Sequence, residues 1–270
     1  MGFFDKYSRF FETSDTLPFP NRLNNRYRAL VEQHADLLRG ASVLDLASHD
    51  GRWSFAALQT GAERVVGLEG QAVLVADAEK TFEQYGIDSS RYRFVHGDLF
   101  ETIKALQPGA FDVVFCFGFL HMHNRHHEML KQVQRLAPRY LILDVWVVAF
   151  TNDPVTYLIP HHLDEFGSAR YVPDFDYPLA FREPRSTPVS RRDGSALGFK
   201  SHGPTGSAPE VMMLAHPSQS ALEWLLAEAG FGELEYYDWK NAPVDDWNDL
   251  ADYQAGQRVS LIAKNMRPRA

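Results

Sequence analysis

The sequence predicts an open, doubly wound α/β sheet, and three observations carry that prediction. Five short apolar runs alternate with helical patterns, a tight turn of small and polar residues joins the first run to the first helix, and acidic residues follow the second and third runs.

The runs are Ser42–Leu46, Arg64–Leu68, Tyr92–His96, Phe111–Phe117 and Tyr140–Val148. Near-continuous Val, Ile, Leu and Phe suit strands of a parallel sheet buried on both faces. Between them Trp53–Thr60, Ala72–Tyr85, Leu99–Ala105 and His127–Leu136 read as crossover helices, the last with an apolar stripe of Met129, Leu130, Val133 and Leu136. Near the C-terminus, Ser220 to Glu223 fits a capping box, Leu222, Leu225, Leu226 and Ala229 follow, and Gly230 stands at the stop. Two further strands, Glu233–Trp239 and Arg258–Lys264, bring the sheet to seven.

Two regions lie outside this pattern. Residues 1–39 hold the run Leu17-Pro18-Phe19-Pro20-Asn21-Arg22 and then a helical stretch from about Tyr27 to Leu38. Residues 151–216 form a long insertion rich in Pro, Arg, His and aromatic residues; so long a segment inside a compact domain reads as a lid or binding loop. The organisation expected is one domain: an N-terminal lid (1–39), a core (40–150), an acceptor-binding insertion after strand five (151–216) and closing elements (217–270).

Composition narrows the function. A net charge of −8 argues against a general nucleic-acid binder, because counterion-release binding needs a basic surface. Cys116, the one cysteine, lies in an apolar run, so no intrachain disulfide can form and a buried, inert thiol is expected. Asp5, Lys6 and Arg9 interrupt the first ten residues, unlike a signal peptide, and the apolar runs are too short to span a bilayer. A cytoplasmic enzyme is the expectation.

The segment Val43 to Leu58, VLDLASHDGRWSFAAL, is the most informative. A glycine-type turn between strand and helix lets backbone N–H groups approach a nucleotide-like ligand. Glu69 ends the next strand about twenty residues downstream, where a carboxylate can accept both ribose hydroxyls. The spacing D-x-A-x-H-x-G differs from the G-x-G-x-x-G of nicotinamide sites. It resembles the first motif, D/E-x-G-x-G-x-G, of class I S-adenosylmethionine (SAM)-dependent methyltransferases. Ala47 and His49 stand where that family has its first two glycines, and Gly51 matches the third. Histidine tolerates unusual backbone angles better than most residues.

The resemblance covers roughly Gly40–Phe150 and Pro217–Asn265 and implies a Rossmann-like methyltransferase fold with an antiparallel last strand. It implies that Asp45 and the backbone of Ala47, Ser48, His49 and Gly51 hold the methionine end of SAM. It also implies ribose binding by Glu69 beside Gly70, adenine binding by Asp98 and Leu99, and backbone carbonyls of Phe117 and Gly118 near the sulfonium. Taken alone, Asp98 reads equally as a helix cap and Glu69 as a surface acid. Their common edge, at the C-terminal strand ends where strand order reverses between the first and fourth strands, favours the binding roles.

After the fourth strand stand His121-Met122-His123-Asn124-Arg125-His126-His127-Glu128, and Asp144 ends the core of the fifth strand. His121 or His123 is a candidate base for a hydroxyl acceptor, and Asp144 with one of them a candidate ligand set for a divalent metal ion. The alternative is structural: His121 lining the pocket, His126 and His127 opening a solvated helix, and Asp144 satisfying a backbone or arginine partner. Trp53 reads as core packing. In the insertion His161, His162, Tyr171, Asp174, Asp176, Tyr177, Arg182, Arg185, Arg191, Arg192 and His202 suit a polar, sugar-like acceptor, or else a surface lid or homodimer contact. The leading expectation is O-methylation of a polar small molecule. An N-methyltransferase for small amines and a non-catalytic SAM-binding protein are the alternatives; the missing Asn-Pro-Pro-Tyr run after the fourth strand disfavours the former, and the altered glycines motivate the latter.

Overall fold

The computed structural model describes residues 1–14, 19–163, 169–171 and 211–267, with side chains outside 159–163, 169–171 and 211–213. Strands β1 (Ser42–Leu46), β2 (Arg64–Glu69), β3 (Tyr92–His96), β4 (Val113–Phe117), β5 (Tyr140–Trp146), β9 (Phe231–Tyr236) and β10 (Arg258–Asn265) make one seven-stranded sheet. Its order is β3-β2-β1-β4-β5-β10-β9, so the strand order reverses between β1 and β4. The first five strands pair in parallel, and β10 runs antiparallel to both β5 and β9. This is the doubly wound, mostly parallel sheet that the apolar runs predict.

Strand alternation sorts the core onto two faces. Val43, Phe115, Phe117 and Ile142 join one buried cluster, and Leu44, Leu46, Val114, Cys116 and Leu143 join the other. Cys116 is buried and its thiol is pushed up to about 12 by that burial, as an inert core thiol should be. The N-terminal helices α1 (Phe10–Thr13), α2 (Pro20–Leu30) and α3 (Ala35–Leu38) cover the first face with α4 (Arg52–Thr60) and α5 (Ala72–Gln84). Phe3, Phe4, Tyr7 and Phe10 build an aromatic layer against Phe55 and Tyr85 of that face. The second face carries α6 (Leu99–Thr102), α7 (His126–Leu136) and α8 (Gln219–Glu228). A short α9 (Ala251–Gln254) precedes β10.

Several elements differ from expectation for local reasons. The helical stretch expected over Tyr27–Leu38 is two helices: Pro20 sits in the first turn of α2, Val31 leaves helical geometry at φ −127°, and a 3₁₀ turn follows before α3. Helix α8 is capped by Ser218, whose Oγ accepts from the Ala221 N–H at 3.2 Å, while Ser220 Oγ donates instead to the Asn152 carbonyl. The insertion is not loop throughout. Its ends form a second, antiparallel sheet of β6 (Thr156–Leu163), β7 (Ala169–Tyr171) and β8 (Val211–Pro217) in the order β7-β6-β8. That sheet is anchored at the top of β5, where the Val148 N–H donates to the Pro217 carbonyl. Asp174, Asp176, Tyr177, Arg182, Arg185, Arg191, Arg192 and His202 lie outside the described residues, as do the side chains of His161, His162 and Tyr171.

Candidate active site

The β1–α4 turn takes the shape of a glycine turn with only the last of its three glycines. Ala47 (φ 55°), His49 (φ 56°) and Gly51 (φ 75°) all adopt positive φ. A side chain in that region costs about 1–2 kcal/mol, and strain of this kind gathers at functional sites. Hydrogen bonds hold it there. The Ser48 N–H donates to the Leu68 carbonyl at 2.9 Å, the Gly51 N–H to the Ser48 carbonyl at 2.9 Å, and the His49 N–H to Glu69 Oε2 at 2.8 Å. The turn and the carboxylate twenty residues downstream are therefore bonded to one another. Glu69 Oε1 accepts from the Gln71 N–H at 2.9 Å, and each oxygen keeps a second lone pair for a ribose hydroxyl.

Ser48 points the other way. A Cβ on Gly67 would come within 2.6 Å of Ser48 Oγ, so that glycine makes room for a buried hydroxyl facing the protein, and only the Ser48 backbone serves the turn.

Sequence reasoning missed the pair that stiffens the turn from below. Asp50 and Arg52 are buried and joined at 2.7 Å through Nε. Burial would raise the Asp50 pKa, but the Arg52 guanidinium, with the Thr13 hydrogen bond, holds it well below the usual carboxylate range. Asp50 also accepts from Thr13 Oγ1 at 2.7 Å, and Arg52 Nη1 donates to Ser14 Oγ at 2.6 Å, which ties the N-terminal segment to the turn. Arg52 Nη2 lies 2.7 Å from His49 Nδ1, so that nitrogen accepts and Nε2 carries the proton. The one signal in the sequence is the i, i+2 spacing of acid and arginine, which is too common to single out.

Asp45 is fully buried on the α4 side, where Oδ2 accepts from Ser54 Oγ at 2.7 Å. Burial pushes its carboxyl up to about 7, with Ser54 pulling back and Glu69 pushing further. Because the folded value lies above the ordinary 3.8, the ionised form burdens the fold, so this contribution to stability falls as pH rises from about 4 to about 7. Thermal unfolding across that window should show a decline in the wild-type Tm that Asp45→Asn lacks; parallel profiles would refute it.

Asp98 starts α6 as its N-cap, accepting from the Glu101 N–H at 3.1 Å, and it is exposed. It shares the edge of Glu69, since the Gly97 N–H donates to the Glu69 carbonyl at 3.0 Å. Leu99 is buried behind it, Gly70 lies open beside Glu69, and Phe117 ends β4 with Gly118 directly after it. The resemblance-implied set thus gathers along the C-terminal ends of β1, β2, β3 and β4, and the turn, Glu69 and the open edge at Gly70 fit an adenosyl ligand.

The expected bases do not fit that role. His121 is buried, and its Nδ1 accepts from the Trp146 N–H at 3.3 Å. Burial first, then Arg258 and the neighbouring histidines, push its pKa far down, so the ring is neutral with its proton on Nε2. His123 packs between Phe100 and Phe119, and its Nδ1 accepts from the Arg125 N–H at 3.1 Å. Burial, aided by His126 and Arg125, takes it down to about 3. In both rings the lone pair that would receive a proton is already bonded to a backbone N–H. His126 is buried too, so the solvated start expected for α7 is corrected there.

Asp144 is likewise corrected. It is fully buried with both oxygens occupied: Oδ2 accepts from Arg26 Nε at 3.1 Å and Tyr253 OH at 2.6 Å, and Oδ1 accepts from Arg258 Nε. Two guanidiniums already match the charge of this carboxylate, and a metal cation beside them would be repelled. Among the described residues no group of three or more His, Cys, Asp or Glu could hold an ion. The donors present do not fit the divalent ion considered from sequence.

Residues 43–138 match the family model described as a methyltransferase domain. No curated protein matches the chain. Solved structures of similar fold include an S-adenosylmethionine-dependent methyltransferase from Mesorhizobium loti (14% identity, TM-score 0.51, covering 84% of this chain and 92% of that one). The N-terminal domain of EvdMO1 with S-adenosylhomocysteine bound is also similar (17%, TM-score 0.54, 91% and 80%). So is a Burkholderia thailandensis 1,6-didemethyltoxoflavin-N1-methyltransferase with 1,6-didemethyltoxoflavin and S-adenosylhomocysteine bound (15%, TM-score 0.52, 97% and 86%).

Proposed function

We propose that the chain, whose residues 43–138 match a methyltransferase-domain model, is a class I SAM-dependent methyltransferase that methylates an oxygen of a polar small molecule, with a sugar hydroxyl as the preferred acceptor. Bound SAM supplies an electrophilic methyl group on sulfur; in the transfer the C–S bond breaks, a C–O bond forms and the hydroxyl proton leaves to water. Asp45, the backbone from Ala47 to Gly51, Glu69, Asp98, Leu99, Phe117 and Gly118 are the proposed cofactor-binding residues.

The observation that carries the oxygen is the state of His121. The Trp146 N–H fixes its tautomer, so at the end of β4 the chain offers a neutral Nε2–H donor rather than a base. An oxygen has two lone pairs, so one can accept from such a donor while the other lines up with the methyl carbon. An amine has a single lone pair, which the same donor would compete for. Alignment of this kind is a large part of what a displacement needs. Among similar folds, the N-terminal domain of EvdMO1 was crystallised in the presence of S-adenosylhomocysteine and D-fucose, which supports the preference for sugars.

The test is transfer of labelled methyl from SAM to a panel of sugars, hydroxy acids and amines, with wild type and His121→Ala. Turnover of hydroxyl acceptors is expected, with kcat about tenfold lower in the variant and S-adenosylhomocysteine affinity unchanged. Turnover of amines alone would overturn the oxygen assignment. No turnover at all, with the cofactor still bound, would favour a binding protein.

A further inference from the structure

The buried cluster around Asp144 is built asymmetrically. Arg22 is fully matched: Nη1 and Nη2 donate to the two oxygens of Asp252, each at 2.7 Å. Arg26 and Arg258, by contrast, share one carboxylate, each through Nε alone. Their four Nη groups make no hydrogen bond among the described residues, and none is a fully buried atom, so these nitrogens remain reachable from solvent. Both residues are nine-tenths buried, at 8% and 7% exposure. Two guanidinium forks are thus held by their stems, with five charged groups (Arg22, Arg26, Arg258, Asp144, Asp252) summing to one excess positive charge. A guanidinium held by its Nε with its outer nitrogens open presents a planar fork that matches an oxyanion.

The cluster lies where an acceptor would enter. A Cβ on Gly118, the residue after β4, would meet Arg258 Nη2 at 3.0 Å. The Arg26 guanidinium lies 4.9 Å from the Trp53 ring, and Trp53 packs edge-on to Phe117 at 5.6 Å. Asp144 and Arg258 sit on β5 and β10, beyond β4 and away from the adenosine edge of β2 and β3.

We propose that Arg26 and Arg258, preset by Asp144, clamp a carboxylate of the acceptor, so that the substrate is an acid bearing the oxygen to be methylated. This rests on the methyltransferase reading above. Trp53 and Phe117 then flank the body of that acid, and Tyr253, which donates to Asp144 at 2.6 Å, steadies the clamp from behind.

The probes are benzoate and its uncharged counterpart benzamide, titrated calorimetrically into protein saturated with S-adenosylhomocysteine, in wild type, Arg26→Gln and Arg26→Lys. Benzoate should bind about tenfold or more tightly than benzamide, and Arg26→Gln should remove that preference. Arg26→Lys, which keeps the charge, should retain part of it, and the affinity for S-adenosylhomocysteine should change less than about twofold in all three. Equal binding of benzoate and benzamide to the wild type would overturn the proposal. So would competition between benzoate and S-adenosylhomocysteine with a cofactor affinity weakened by Arg26→Gln, which would assign the clamp to the cofactor's own carboxylate. Failure of the wild type to bind S-adenosylhomocysteine would instead count against the methyltransferase reading. Circular dichroism of each variant identifies any that do not fold, and Arg258→Lys then repeats the comparison from the other arginine.

Discussion

Gly51→Ala is expected to abolish S-adenosylhomocysteine binding and to destabilise the fold by about 2–5 kcal/mol. Two effects add. A side chain at φ 75° costs about 1–2 kcal/mol. The new Cβ would also fall 2.8 Å from Phe94 Cζ, 3.0 Å from Ala78 Cβ and 3.1 Å from Phe82 Cε2, all in the packed layer between α5 and β3. Crowding of that kind costs about 1–3 kcal/mol more. Gly40→Ala is the matched control, because Gly40 has φ 73° and nothing within 4 Å of its would-be Cβ. Urea unfolding of both variants separates the terms, and equal destabilisation would refute the steric part. The cofactor loss follows because Gly51 closes the turn that carries the His49 N–H to Glu69.

Asp144→Asn is expected to destabilise the protein by about 3–5 kcal/mol, since the amide keeps the shape but strands Arg26 and Arg258 without a counter-charge. Burial alone would raise the Asp144 pKa; Arg258 and Arg26 overrule it and hold the group at about 2. Since that lies below the ordinary 3.8, its stabilisation is complete above about pH 4 and is lost as pH falls from there towards 2. Wild type should therefore lose stability in acid more steeply than Asp144→Asn, which lacks this titration. Unfolding free energies measured between pH 2 and pH 7 check both claims, and a variant as stable as wild type at pH 7 would refute them.

The sheet was readable because its central strands are buried on both faces. A strand such as β4 is then apolar throughout, as Val113–Phe117 advertises, and β1 is apolar at Val43, Leu44 and Leu46 around the buried Asp45. The acid that meets the turn was readable because Glu69 closes an apolar strand at a fixed distance from it. Strand and helix ends were less so, as at Ser218 and Ser220, where two serines compete for one cap and a contact with Asn152 decides. The insertion's sheet escaped because its strands pair across a long sequence separation, Thr156 with Pro217, and nothing local marks the partner. In the site, His121, His123 and Asp144 were identified as residue types that can do chemistry. Whether a lone pair remains for that chemistry depends on Trp146, Arg125, Arg26 and Arg258, two of them more than a hundred residues from Asp144.

Local order along this chain was enough to determine the architecture, the turn and the acid that meets it, because periodicity and turn chemistry act over a few residues. Tertiary structure alone decided which polar groups are spent and which are left over. It turned Asp144 from a candidate ligand into the anchor of two arginines, and two candidate bases into neutral rings already bonded to the backbone. The physical reason is that a buried polar group is defined by its partners, and here those partners come from helices and strands far apart in sequence.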